Sequence, residues 1–437
     1  MLPHRCVLRT LSATLQRVRN MANFVPAERV REAKPSIWVE FTSLAVECGA
    51  VNVGQGFPDE ACPKFVTDLL ASVAAHPEKT AWHQYTRGFG HLRLVNALAR
   101  LYGGLYNREI NANEQILVTV GAYLGLYYAF MGFVNHGDEV LIIDPAYDSY
   151  DPQVRMAGGV PVHYPMEVPD HAKSSSDFRI DLAKLRAKCS KKTKVLVLNN
   201  PNNPTGKLYT QEELMGIAEI VRDFNLIVIA DEVYEWHVWD KKMIRFATLP
   251  GMFERTISIG SAGKAFSVTG WKLGWCIGPN HLMMPIKMMH QNCIFTCSTP
   301  TQEALACAFE KELELFKSDP KSSYLLNGLP NELRTKCEKM CNMLSEAGFE
   351  PVRPDAGYFI VASFKNIDGP FKKPDSTKDP LDFRFVRWLC KEKKLAAIPP
   401  SAFYSDEYKL ANENMVRFCF MKADETLEAA HSILKGL

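Results

Sequence analysis

Short apolar runs alternate with amphipathic stretches through the middle of the chain. Segments 140–143, 195–198, 227–230 and 256–259 are apolar and rich in β-branched residues, short enough to read as buried strands. Between them, 210–224 carries apolar positions at helical spacing, and Thr210 followed three residues later by Glu213 predicts a capping box. Strand alternating with helix predicts an α/β fold whose mostly parallel sheet is covered on both faces. Ligands of such sheets sit beyond the carboxyl ends of the strands.

One stretch imitates a membrane span: the nineteen residues 116–134 contain no charge. Its first part, 116–120, is strand-like, Gly121 interrupts it, and the remaining helix-like part is too short to cross alone, so strand, tight turn and buried helix are expected. A turn opening a helix exposes backbone N–H groups that suit phosphate. From about Phe309 the pattern changes to charged helices (331–347), a strand at 358–362 and a polar Pro/Lys/Asp stretch at 369–380. A second, smaller domain with a surface loop is expected there.

The 437 residues are 47% hydrophobic and 23% charged, ordinary for a globular chain and excluding disorder or coiled coil as the main architecture. With 51 basic against 49 acidic residues there is no overall pull toward nucleic acid or an anionic membrane, so no nucleic-acid or membrane partner is expected. The first twenty residues hold Arg5, Arg9, Arg17 and Arg19 and no acid, the pattern of a mitochondrial (matrix) transit peptide; a disordered basic tail is the alternative. Met21 offers a second start, giving a cytosolic form. The twelve cysteines show no Cys-x-x-Cys. Cys293/Cys297 and Cys337/Cys341 have helical spacing but no convergent partners, so no metal site is expected and a reducing compartment fits.

Chemistry concentrates just after the apolar runs. Asn199-Asn-Pro-Asn-Asn-Pro-Thr-Gly206 follows one, Asp231-Glu-Val-Tyr234 another, and Gly260-Ser-Ala-Gly-Lys264 a third, continuing to Thr269-Gly-Trp-Lys-Leu-Gly-Trp275. Singly, these read as turns, a helix cap and a solvated lysine. Small residues before Lys264 leave room for a bulky group, and a lysine in such a pocket has its pKa lowered and forms Schiff bases. The spacing is not that of a nucleotide phosphate loop.

Together, Asn203-Pro, Asp231-x-x-Tyr234, Ser261-x-x-Lys264 and Gly270-Trp-Lys272-x-Gly274 resemble the class I aminotransferases, pyridoxal-phosphate enzymes of fold type I. More narrowly, Gly54-Gln-Gly-Phe-Pro-Asp59, Gln84-Tyr-Thr-Arg-Gly-Phe-Gly90, the segment from Ser261 to Lys272, and Val416-Arg-Phe-Cys-Phe420 resemble the kynurenine-oxoglutarate transaminase and cysteine-S-conjugate beta-lyase group. The resemblance runs from about Phe24 to the end of the sequence. It implies a large domain with a mostly parallel seven-stranded sheet and a small α+β domain. The expected divisions are 1–20 (leader), 21–63 (segment joining the small domain), 64–308 (large cofactor-binding domain) and 309–437 (small domain).

By the same resemblance, Lys264 holds the cofactor and shuttles the proton, Asp231 pairs with its ring nitrogen, and Tyr234 and Asn203 bond its phenolic oxygen, with Asn199 in the same loop. Tyr147 stacks on the ring. Gly121, Ala122, Tyr123, Ser261 and Lys272 meet the phosphate, and Tyr85 reaches it from the other subunit of a homodimer with shared active sites. Arg417 anchors the substrate α-carboxylate with Gly56 and Asn203, and Trp38, Tyr123 and Phe295 line the side-chain pocket. The implied reaction moves an amino group from kynurenine, another aromatic or sulfur amino acid, or glutamine to a 2-oxo acid, giving kynurenic acid from kynurenine, with a beta-lyase side activity. Thr296 stands where one branch has histidine, which resembles the type three kynurenine aminotransferases. The alternatives are a dedicated carbon-sulfur lyase or another class I transaminase; a catalytically silent binding module predicts loss of the lysine or aspartate, and both are present.

Overall fold

The computed structural model describes residues 25–31, 33, 35–373 and 379–437. Residues 1–35 and 36–437 are two units. In the first, the described residues include one exposed helical turn, Glu28–Arg31; the arginine-rich segment 1–20, expected to be a transit peptide, and Met21 lie outside the described residues. The second unit carries all the strands found among the described residues.

In chain order these are β1 (Val51–Asn52), β2 (Ile116–Thr119), β3 (Glu139–Asp144), β4 (Val160–Pro165), β5 (Thr193–Asn199) and β6 (Ile227–Asp231). Then come β7 (Thr256–Ser261), β8 (Gly274–Ile277), β9 (Glu350–Val352), β10 (Phe359–Ser363), β11 (Leu395–Ala396) and β12 (Met415–Cys419). Seven of them form one sheet in the order β2-β8-β7-β6-β5-β3-β4, and only the contacts of β8 are antiparallel. The mostly parallel seven-stranded sheet expected from the resemblance is therefore present.

Alternate residues of β5 and β6 enter opposite cores: Val195, Val197 and Ile229 face one, Leu196, Leu198, Val228 and Ala230 the other. That is why these runs are apolar throughout instead of alternating. Each such aliphatic side chain contributes about 1.5–3 kcal/mol on burial. The expected helix forms as Gln211–Asp223, with Thr210 Oγ1 accepting from Glu213 N and the Glu213 carboxylate accepting from Thr210 N.

The uncharged stretch resolves into β2 and the helix Gly121–Phe133. Among the described residues no helix is long and apolar enough to cross a membrane. Cys337 and Cys341 do share a helix, Leu329–Glu346, but Cys293 ends its helix and Cys297 lies beyond it. No cluster that could hold a metal occurs among the described residues.

A three-stranded antiparallel sheet, β12-β10-β9, stands apart from the large one, and β1 pairs in parallel with β11. Of these, β10 and β12 match apolar runs legible in the sequence; β1 and β11 are two residues each and too short to leave a pattern.

Candidate active site

The polar clusters fall along one edge of the large sheet because the parallel strands all end there. Asn199 is paired with Asp231 and Asp231 with Ile259 in the ladder. Since β8 runs the other way, its first residue, Gly274, lies opposite both Thr119 and Ser261. Lys272, Ser261 and the start of the helix Gly121–Phe133 thus converge. Glycine is required there: a Cβ on Gly274 would lie 2.6 Å from the Ala122 nitrogen. Gly121, with φ 69°, turns β2 into the helix, and its missing Cβ would stand 3.6 Å from Lys272 Nζ. Tyr123 belongs to the same first helical turn, its ring 6.0 Å from that ammonium.

Asp231, at the end of β6, is 4% exposed and accepts from Tyr150 Oη at 2.6 Å. No cation forms an ion pair with it among the described residues. Burial pushes its carboxyl up to about 6, with the Tyr150 hydrogen bond and the Lys264 charge pulling the other way. Tyr147 packs edge-on against Tyr150 at 5.8 Å, partly buried, and its phenol is pushed up by burial and by the Asp148 and Asp231 charges. Asn199 is committed to the loop: its Nδ2 donates to the Asp231 carbonyl at 2.9 Å and its Oδ1 accepts from Asn203 N at 2.7 Å.

Lys264 follows β7 in the helical turn Ala262–Ala265. Its Nζ donates to Tyr358 Oη and, at 3.2 Å, to the Gly56 carbonyl, and lies 5.6 Å from the Tyr234 ring. Burial, reinforced by the Arg417 and Lys272 charges, brings its pKa down to about 8.

Arg417, in the middle of β12, is 0% exposed. Nη1 donates to Asn203 Oδ1 at 3.0 Å and Nη2 to the Gly54 carbonyl at 2.9 Å, while Nε has no partner among the described residues. Its guanidinium lies 3.9 Å from the Phe359 ring and 5.3 Å from that of Trp38. Burial lowers its pKa to about 10, still charged at neutral pH. No carboxylate forms an ion pair with it among the described residues; Asp148, whose charge acts on it, accepts from Trp38 Nε1 at 3.1 Å and Ser36 Oγ at 3.0 Å.

The site therefore buries an anion and a cation, neither in an ion pair among the described residues, and the charges of both act on the Lys264 amine. A buried charge left unpaired costs several kcal/mol, so both call for ligand groups of opposite sign. This donor set fits pyridoxal phosphate and an amino acid: an amine for an aldehyde carbon, an anion for a protonated ring nitrogen, a helix start with Lys272 for a phosphate, and a guanidinium for a carboxylate.

A family model of aminotransferases of class I and II matches residues 49–433. The chain belongs to that family. Kynurenine–oxoglutarate transaminase 3 of Homo sapiens is 48% identical, over 94% of this chain and 90% of the relative. Bna3p from Saccharomyces cerevisiae superposes with a TM-score of 0.87 at 31% identity, covering 94% of this chain and 99% of its own. YbdL from Escherichia coli, for which a methionine aminotransferase function was identified, gives a TM-score of 0.82 at 31% identity over 95% and 100%. The enzyme is a pyridoxal-phosphate-dependent aminotransferase of the fold type I architecture.

The structure thus brings together Lys264, Asp231, Tyr234, Asn203, Tyr147, Gly56, Trp38 and Arg417, and groups Gly121, Ala122, Tyr123, Ser261 and Lys272 beside them. Tyr85 and Phe295 instead meet each other edge-on at 5.6 Å, 84% and 56% exposed. No hydrogen bond or ring contact joins either to Lys264 or Arg417 among the described residues. Sequence reasoning missed Tyr150, Tyr358, Phe359 and the buried His237, whose ring packs edge-on at 5.3 Å on both Tyr234 and Tyr358. Burial and the Lys264 charge hold His237 down to about 3, so it is neutral. No local pattern in the sequence marks any of the four as a site residue.

Proposed function

We propose that this aminotransferase takes kynurenine or a related aromatic or sulfur amino acid as amino donor and a 2-oxo acid as acceptor. The observation that carries the reading is the buried, carboxylate-free Arg417 flanked by the Phe359 and Trp38 rings. The guanidinium grips an α-carboxylate through a planar fork, and the rings beside it favour an aromatic or thioether side chain. The name of the human relative supports kynurenine, and the Escherichia coli neighbour supports methionine as a second donor.

Bound pyridoxal phosphate supplies the electron sink that a free amino acid lacks. Asp231 holds the proton on the ring nitrogen, Tyr234 and Asn203 orient the ring edge, and Tyr147 covers a face. Gly121, Ala122, Ser261 and Lys272 fix the phosphate end. Arg417 and Asn203 fix the substrate carboxylate and so decide which bond to Cα faces Lys264. Lys264 Nζ, when free, would take the proton from Cα and deliver it to the cofactor carbon bonded to the amine nitrogen. Where the substrate carries a leaving group on Cβ, the same deprotonation opens beta-elimination, a side activity.

The exposed Tyr85–Phe295 pair favours a second copy of the chain covering it in a homodimer, with Tyr85 reaching the partner's phosphate site; light scattering of purified protein tests this. Residues 1–20 are read as a mitochondrial targeting segment, tested by locating a tagged full chain and one begun at Met21. Steady-state rates with kynurenine, phenylalanine, methionine and glutamine against several 2-oxo acids, and with a cysteine S-conjugate, test the function. Transfer from kynurenine or methionine is expected to dominate; elimination alone would overturn the assignment.

A further inference from the structure

The Lys264 amine meets two oxygen atoms that no sequence motif foretold as a pair. Tyr358 Oη donates its only proton to the Gly56 carbonyl at 2.6 Å, so towards Lys264 it can only accept. Lys264 Nζ donates to that Oη and also, at 3.2 Å, to the Gly56 carbonyl. A neutral amine has two N–H bonds and one lone pair. With both N–H bonds held by oxygen, the lone pair is the only valence left, and its direction is set.

The acceptor is itself immobilised. The Tyr358 ring, 1% exposed, packs edge-on against Tyr234 at 5.2 Å, His237 at 5.3 Å and Phe359 at 4.7 Å. Gly56 has no room to shift toward them, since even a Cβ there would lie 2.5 Å from the Phe359 ring.

We propose that Tyr358, with the Gly56 carbonyl, positions the free Lys264 amine so that its lone pair is presented to the Cα hydrogen of the bound amino acid. In the step this serves, the Cα–H bond breaks, a third N–H bond forms on Nζ, and the electron pair of the broken bond stays on the substrate side. The proton then sits on the one N–H that neither oxygen holds, so it is handed on without releasing either contact. Tyr358 is a positioning residue acting on the reacting nitrogen, and the inference rests on Lys264 being the proton-carrying lysine of the proposed transamination. The depressed Lys264 pKa, about 8, keeps a usable neutral fraction near neutral pH.

Tyr358→Phe keeps the ring packing and removes only the acceptor. We expect kcat to fall about tenfold, roughly 1.4 kcal/mol of barrier, with KM for the amino acid unchanged and cofactor retained. Removing an acceptor of the ammonium form lowers its pKa. In cofactor-stripped protein the pH midpoint for acylation of Lys264, followed by peptide mass spectrometry, is therefore expected to move to lower pH. An unchanged kcat and midpoint, or a rise in KM alone, would overturn the proposal. Lys264→Ala separates the two levels: normal turnover in that variant sinks the functional reading itself, whereas an inactive Lys264→Ala beside an unaltered Tyr358→Phe sinks only the role of Tyr358.

Discussion

The two sheets contribute to the site in different ways. The large sheet delivers Asn203, Asp231, Tyr234 and Lys264 from segments at or just past the ends of its strands, where the ladder stops and backbone geometry is free to vary. The small sheet delivers Arg417 from mid-strand, opposite Val361 of β10 and bridged to Ile398. The first arrangement tunes cofactor contacts through loops while leaving the sheet intact. Under the proposed function, the second gives the substrate carboxylate a partner that cannot be moved without shifting the register of a whole strand. Chemistry common to a family suits the first, and a fixed recognition point suits the second.

Asp231→Asn breaks the large-sheet side hardest. Replacing the buried anion with a neutral amide should lower kcat by at least about a hundredfold, read by steady-state kinetics with cofactor in excess. An effect confined to KM would show that Asp231 serves the substrate instead.

The same carboxyl predicts a pH dependence. Its folded pKa of about 6 lies above the ordinary aspartate value of 3.8, so the cofactor-free chain loses this contribution as pH rises from about 4 through 6. A cationic ring nitrogen pairing with it removes that loss. The thermal stabilisation by cofactor should therefore grow across this window, by up to about 3 kcal/mol, and flatten in Asp231→Asn. A constant difference would mean the carboxyl is already paired.

Arg417→Lys probes the small-sheet side: the charge stays but the fork is lost. KM should rise for all amino acids, roughly ten- to a hundredfold, with the visible absorbance of bound cofactor unchanged. Loss of cofactor would erase the division of labour between the sheets. The smallest expected effect is that of Gly260→Ala, whose Cβ would lie 2.3 Å from the Trp275 indole. It should cost about 1–3 kcal/mol of stability in thermal unfolding while leaving KM in place.

The large-sheet side was legible because its groups come in contiguous motifs, each announced by an apolar strand. The strand at 227–230 extends one residue further at its carboxyl end, to Asp231, and that at 195–198 extends to Asn199 there and back to Thr193 at its start; the polar end residues are the ones proposed to carry the chemistry. Arg417 was legible only through resemblance, since an arginine within a strand reads as an edge residue. Tyr358 and Tyr150 were not legible. Their partners lie 94 and 81 positions away, and which strand ends meet is fixed by tertiary packing that no local pattern encodes.

The bond from Arg417 Nη2 to the Gly54 carbonyl joins positions 363 residues apart. A ribosome adding about 5–20 residues each second needs roughly 20–70 s to span that interval. Well before it closes, Asp231 and Lys264 are already synthesised, while Arg417 does not yet exist. The growing chain passes through a stage in which the residues proposed to hold the cofactor are present and the one proposed to select the substrate is still to be added.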